Sequence, residues 1–177
     1  MNLLENDSVR LRALEADDLD LLFSVENDPL FWEVSNTLTP YSKQLLAQYL
    51  KNAHQDIFEA KQLRLVITRK TDGLVLGLLD LFDFDPHHQR AGIGILILKE
   101  YQHNGYAAKA LEVFLGYAFE HLDLHQLYAN IPVSNENSLH LFRKMHFVDV
   151  GIQKDWLKIK GKFQDVVLMQ LINSNHL

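Results

Sequence analysis

The run Ile95-Leu96-Ile97-Leu98-Lys99-Glu100-Tyr101-Gln102-His103-Asn104-Gly105-Tyr106-Ala107 decides how this chain is read. Its first four residues are apolar and end a strand. A short polar loop carrying Gln102 and Gly105 follows. From there Ala107, Leu111, Phe114, Leu115, Ala118 and Leu122 recur at intervals of three and four, the stripe of a long amphipathic helix. Successive N–H groups at the start of such a helix lack intrahelical partners and converge beside the positive end of its dipole, which suits a phosphate or pyrophosphate. Gly105 lets a ligand come close to the backbone, and small Ala107 avoids crowding it. An exposed helix terminus contributes only ~0.3–1 kcal/mol, so charge-assisted N–H bonds of ~1.5–3 kcal/mol each would carry the binding. The loop is neither G-x-x-x-x-G-K-[ST] nor G-x-G-x-x-G, so nucleoside triphosphate and dinucleotide sites are poorly supported.

Working outward, residues 63–68, 75–84 and 91–98 read as three strands, joined by Thr71-Asp72-Gly73 and by Asp85-Pro86-His87-His88. Connections this short make both pairs antiparallel. The helix after Gly105 leads to a short apolar strand at 127–131, a βαβ unit whose strands should run parallel. Asn135 then caps a helix containing Leu139, Phe142 and Met145, and strands at 147–152 and 166–172 flank a Lys160-Gly161-Lys162 turn. Upstream, Val9, Leu11 and Ala13 alternate with Arg10 and Arg12 as a half-buried strand. Acids Glu15, Asp17 and Asp18 open a helix with Leu19, Leu22, Phe23 and Glu26, which Asp28-Pro29 ends. An aromatic loop with Phe31, Trp32 and Tyr41 follows, then a second helix at 42–52. The order β-α-α-β-β-β-α-β-α-β-β makes residues 1–177 one α+β domain on a mixed, mostly antiparallel sheet.

Composition bounds the function. The 177 residues are 47% hydrophobic and 23% charged, ordinary globular usage that excludes wholesale disorder. The absence of cysteine removes disulfides, zinc–cysteine sites and thiol nucleophiles together. The longest apolar stretch, residues 91–98, is far short of the ~20 that span a bilayer. The first ten residues do not read as a signal peptide, so a cytoplasmic protein without a membrane partner is expected. A net charge of -6 with no basic run argues against nucleic acid and favours a cationic or small-molecule partner. His87-His88 and the His121/His125 pair have no carboxylate at a ligand-like spacing and read as surface histidines, so no metal is expected. Ser134 and Ser138 lack a Gly-x-Ser-x-Gly context.

Gln102-x-x-Gly105-x-Ala107 resembles the Q/R-x-x-G-x-G/A signature of the GNAT superfamily, the acyl-CoA-dependent N-acyltransferases. The likeness extends to Asn135-Glu-Asn-Ser138-Leu-His-Leu-Phe142-Arg-Lys-Met-His-Phe147, similar to that superfamily's N-x-x-[A/S]-x-x-x-[Y/F]-x-K-x-G-F segment. It looks nearest to the spermidine N-acetyltransferases and the N-terminal acetyltransferases of ribosomal proteins. The resemblance implies a central mixed sheet with a splayed parallel strand pair, flanked by helices. It implies acetyl-CoA as cosubstrate, with backbone groups of Ile95, Leu96 and Ile97 pairing with the pantetheine arm and the acetyl carbonyl. Gln102, His103, Asn104, Gly105, Tyr106 and Ala107 would cradle the pyrophosphate, and Asn135 and Ser138 would face the cofactor's far end. The reaction implied is direct attack in a ternary complex by a primary amine, a polyamine or another small cation. The alternatives are a protein N-terminus as acceptor, or an acyl-CoA-binding module without catalysis. A homo-oligomer would be unsurprising by the same resemblance.

Two departures from the pattern bear on mechanism. Phe142 stands where many members carry a tyrosine that protonates the departing thiolate, which leaves Ser138 either as a hydrogen-bond donor to the sulfur or as an ordinary N3 residue of the helix. His146 stands where glycine is usual, which should affect only the local turn. For the acceptor side, Asp80, Asp83 and Asp85 lie on or just after the second sheet strand. Alternation places Asp83 and Asp85 on one face and Asp80 on the other. Asp83 matches an acidic substrate-binding position of the spermidine enzymes and is the candidate general base. Glu33, in the aromatic loop, is a weaker substrate-binding candidate. Gly92 replaces a glutamate of those enzymes, which weakens the case for polyamine specificity.

Overall fold

The computed structural model describes residues 3–35 and 37–176. Its strands are β1 (Val9–Ala13), β2 (Leu63–Arg69), β3 (Val75–Asp85), β4 (Arg90–Ile97), β5 (Gln126–Pro132), β6 (Val148–Ile159) and β7 (Lys162–Ile172). The helices are α1 (Leu19–Glu26), α2 (Pro29–Ser35), α3 (Lys43–Asn52), α4 (Ile57–Ala60), α5 (Tyr106–Glu120) and α6 (Glu136–Lys144). All seven strands join one sheet in the order β1-β2-β3-β4-β5-β7-β6. The pair β4–β5 is parallel, as a crossover through α5 requires, and the others are antiparallel. The chain divides into two compact units. One comprises the described residues up to Ala13 together with those from Ile57 onward; the other is Leu14–Asp56.

In the larger unit the odd-numbered positions of the central strands are buried: Leu79 and Leu81 on β3, Ala91 and Ile93 on β4, Leu127, Ala129 and Ile131 on β5. They form one core with Leu111 and Phe114 of α5 and Leu139 and Phe142 of α6. Burying a side chain of this size contributes ~1.5–3 kcal/mol, and alternation is what puts so many on one face.

Several boundaries differ from the reading of the sequence. The aromatic segment expected as a loop is helix α2. Pro29 takes its first helical position, where no N–H is missed, and the Asp28 side chain accepts from the Leu30 N–H at 2.9 Å. Glu33 therefore lies on a helix of the smaller unit. Helix α3 begins as expected, with the Ser42 side chain accepting from the Leu45 N–H. Strands β6 and β7 are longer than expected because Lys160 (φ 48°) and Gly161 (φ 79°) form a two-residue turn with both residues left-handed, which joins Ile159 directly to Lys162. Irregularities between Asp149 and Gly151 and between Gln153 and Leu157 keep the polar stretch of β6 in the ladder. Among the described residues no helix is long and apolar enough to cross a membrane.

Candidate acetyl-transfer site

Strands β4 and β5 pair only at Arg90↔Gln126, Ala91↔Leu127 and Gly92↔Tyr128. Beyond Gly92, β4 stays with β3 as far as Gly77↔Ile97, while β5 stays with β7 as far as Pro132↔Val166. Each limb is held by its outer neighbour, so the two part and a V-shaped slot opens toward their C-terminal ends. The β3–β4 register is unbroken along this stretch, and the Leu98 N–H donates to the Leu76 carbonyl at 2.9 Å. Peptide groups alternate along a strand, so those of Ile95 and Ile97 are directed into the slot and that of Leu96 toward β3.

The loop closing the slot is built from its own side chains. Gln102 donates its amide to the Ile97 carbonyl at 3.0 Å, and Asn104 donates to the carbonyls of Gln102 (2.9 Å) and Tyr101 (3.2 Å). His103 (φ 62°) and Gly105 (φ 78°) are both left-handed, and Gly105 is the N-cap of α5. A Cβ at Gly105 would meet nothing within 4 Å, so the glycine answers to its φ and leaves the space above it open. The first helical bond of α5 runs from the Lys109 N–H to the Gly105 carbonyl at 3.2 Å. The N–H groups ahead of it, of Tyr106, Ala107 and Ala108, project from the helix end beside the slot. The Tyr106 phenol faces Arg69, whose guanidinium also grips Asp72 at 2.6 and 2.9 Å; these contacts raise the Arg69 pKa, Asp72 contributing more than Tyr106. Arg69 in turn holds the Asp72 carboxyl down at about 2.

Across the slot, Asn135 caps α6 by accepting from the Ser138 N–H at 3.2 Å. Ser138 is partly exposed at the third helical position, one turn before Phe142.

The three acids sit differently from their expected alternation. Asp80 pairs with Gly94, Phe82 with Gly92 and Asp85 with Arg90, so Asp80 and Asp85 share one face with Phe82. An extra residue in β3 between Phe82 and Asp85 forms a bulge, with Asp83 at φ 49°, and it resets the period. Their charges also differ. Asp80 is held by Arg64 at 2.5 and 3.0 Å. Asp85 accepts from the His88 N–H at 2.9 Å and lies 3.4 Å from Arg90; these contacts, the His88 N–H above all, lower its pKa. Asp83 is exposed, accepts a hydrogen bond from the Tyr128 hydroxyl at 3.2 Å, and has no basic partner among the described residues. Glu33 lies on α2, and its side chain falls outside the described residues.

Tyr128 and Phe82 went unnoticed in the sequence. Tyr128 occupies the fork, opposite Gly92 in the last β4–β5 pair, and its ring meets that of Phe82 edge to face at 5.9 Å. Burial, then the Asp83 charge and hydrogen bond, push the Tyr128 hydroxyl up to about 12. The Phe82 ring lies over Gly92, where any Cβ would collide with it. The parallel register was the one available signal, because it sets Tyr128 on the face of Phe82, Asp80 and Asp85. Of the histidines, His87 and His88 meet edge to face, ring centroids 4.6 Å apart, in an exposed turn. Among the described residues no group of three or more His, Asp or Glu side chains is placed to hold a metal.

A sheet with one parallel pair splayed at its C-terminal end, facing a helix N-terminus across a glycine loop, defines the class of acyl-CoA-dependent acyltransferases. The acetyltransferase (GNAT) domain family matches residues 8–148, and the chain belongs to that family. It is 30% identical over 175 residues, 97% of each chain, to a spermidine N(1)-acetyltransferase of Vibrio cholerae serotype O1. A shorter match, 31% identical over 101 residues, covers 57% of this chain and 55% of a putative ribosomal N-acetyltransferase of Bacillus subtilis. The fold superposes with a TM-score of 0.86 on spermidine N-acetyltransferase from Vibrio cholerae in complex with CoA and spermine, at 28% identity, covering 96% of this chain and 98% of the other.

Proposed function

We propose that this acetyltransferase moves an acetyl group from acetyl-CoA to the primary amine of a small cationic molecule, polyamines included, by direct attack in a ternary complex. The observation that carries the cationic acceptor is the Asp83 carboxylate, exposed beside the fork of the slot, bonded to a phenol and without a basic partner among the described residues. The pyrophosphate binds the N–H groups that open α5, and the pantetheine amides extend β4 through the slot-facing groups of Ile95 and Ile97. Asp83 draws in the ammonium and takes its proton, directly or through one water. The freed amine attacks the thioester carbonyl, whose oxyanion is stabilised by a slot-facing N–H of β4. Collapse of the tetrahedral intermediate forms the amide and breaks the C–S bond. The nitrogen loses its second proton as the amide forms, and water relays that proton to the thiolate, which the Ser138 hydroxyl steadies. With no cysteine in the chain, no acyl-cysteine intermediate can form.

The test is CoA release from acetyl-CoA with polyamines, monoamines, amino acids, aminoglycosides and ribosomal-protein N-terminal peptides as acceptors. Small cationic amines are expected to turn over best. A peptide as best acceptor replaces this reading with N-terminal acetylation, and binding of acetyl-CoA without release of CoA to any acceptor replaces it with a binding module. The exposed apolar side chains of the β6–β7 hairpin, Val148, Val150, Ile152, Trp156 and Phe163, support self-association, which sedimentation would measure.

A further inference from the structure

We propose that Phe82, Tyr128 and Asp83 form the acceptor-selecting corner of this site, and that it takes an amine whose single ammonium is followed by an uncharged apolar arm. The inference rests on the amine acetyltransferase reading above and narrows its substrate class. Charge is the first argument. Arg64 offsets Asp80 and Arg90 offsets Asp85, so among the described residues of this strand the negative charge without a basic partner is that of Asp83. One carboxylate answers one ammonium. Shape is the second. The Phe82 ring lies over Gly92 and covers the sheet surface between Asp80 and the fork, and Tyr128 closes the corner edge to face at 5.9 Å. Ring faces attract the one ammonium that Asp83 also holds and shelter the methylenes behind it, whereas a second ammonium at the far end of the arm finds no second free carboxylate on this face among the described residues. Next to the rings, a Cβ at Gly94 would meet nothing within 4 Å, so there is room for the arm. The bulge is the third. With Asp83 left-handed at φ 49° its carboxylate reaches the Tyr128 hydroxyl, so Tyr128 acts as a positioning residue for the charge.

Pentylamine and 1,5-diaminopentane separate the alternatives, having one arm length and one or two ammonium groups. With wild type, kcat/KM for pentylamine is expected to equal or exceed that for the diamine. Phe82→Leu, which keeps apolar bulk, is expected to lower kcat/KM for pentylamine by about tenfold with the KM for acetyl-CoA unchanged. Tyr128→Phe keeps the ring and is expected to raise the amine KM about three- to fivefold at constant kcat, a split that a purely structural role does not produce. Should Phe82→Leu fail to fold, Gly92→Ala tests the same corner, since its Cβ displaces the Phe82 ring. A tenfold or greater preference for the diamine overturns the proposal, as does a folded Phe82→Leu or Gly92→Ala enzyme with wild-type kinetics on both amines. A wild-type enzyme silent toward every amine overturns the parent reading and this proposal with it, and is told apart because no variant is needed to see it.

Discussion

The Phe142 ring meets the Phe147 ring edge to face at 4.9 Å, and this contact seals the C-terminal end of α6. The Phe147 N–H donates to the Phe142 carbonyl and the His146 N–H to that of Arg143, both at 3.0 Å, which is the double bond pattern of a Schellman motif with its hydrophobic contact. The motif requires a left-handed residue between them, and here that residue is His146 at φ 67°. The histidine thus stands, against the usual glycine, at the position where glycine has a physical reason to be.

His146→Gly should therefore stabilise the fold. A left-handed non-glycine residue costs roughly 1–2 kcal/mol, part of which glycine returns through its own backbone entropy. A net gain of about 1 kcal/mol corresponds to about 2–4 °C in a chain of this length. Calorimetry of the variant against wild type checks it, and an unchanged or lowered Tm contradicts the cap.

At the other end of the slot, Gly105→Ala and Gly105→Val should both weaken acetyl-CoA binding, the valine more. Each brings the strain of a φ of 78°, and each projects carbon into the open space that the pyrophosphate would occupy. Titration calorimetry with CoA is expected to show affinity lost by at least tenfold for valine in a protein that still melts cooperatively. Wild-type affinity in folded Gly105→Val would move the pyrophosphate away from α5.

Much of this arrangement was legible in the residues, and the exceptions have physical causes. The strands from β2 to β5 follow from period-two burial on one face and from connections too short or too long to pair otherwise. The bulge at Asp83 was not legible, because a left-handed aspartate carries no glycine to announce it, and one uncounted residue moved Asp85 onto the face of Asp80. Pro29 was read as the end of a helix when it is the first residue of the next; both uses satisfy proline, and only the Asp28 cap distinguishes them. Tyr128 stayed invisible because its importance lies in where two strands part, and the parting is set by partners distant in sequence.

Asp83→Asn tests that fork by two independent measurements. The KM for a cationic acceptor should rise at least several-fold while acetyl-CoA affinity stays close to wild type. Tyr128 should also titrate lower than in wild type yet still above the ordinary value near 10, because burial outranks the aspartate among the causes of its shift. In wild type the folded pKa of about 12 lies above that of the unfolded chain. The stabilising contribution of the protonated phenol is thus fully present below pH 10 and fades as pH rises through 12. Ring-carbon chemical shifts of labelled tyrosine follow each step, and a Tyr128 that titrates alike in wild type and Asp83→Asn would mean that the bond to Asp83 does not form.

The thiolate poses the last test, since Phe142 has no proton to offer it. Ser138 lies one turn earlier on the same face of α6, partly exposed, with its N–H committed to the Asn135 cap and its hydroxyl left over. An ordinary hydroxyl is a poor acid, so the contribution proposed for it is a hydrogen bond that steadies the sulfur while water relays the proton. Ser138→Ala should accordingly lower kcat several-fold with little change in the KM for acetyl-CoA, and it should leave the cap intact because the cap uses the backbone. Phe142→Tyr should match or exceed wild type in kcat, since general acid catalysis is typically worth ~10²–10⁴-fold. At 3% exposure, however, the added hydroxyl enters a packed core, and an unsatisfied polar group there costs about 1–3 kcal/mol, so the Tm should fall as kcat holds or rises. Steady-state kinetics with one good acceptor, run beside thermal melts of both variants, separates the roles. A Ser138→Ala enzyme as fast as wild type assigns Ser138 to the helix alone, and a slower Phe142→Tyr enzyme shows that the ring at this position cannot deliver a proton to the slot.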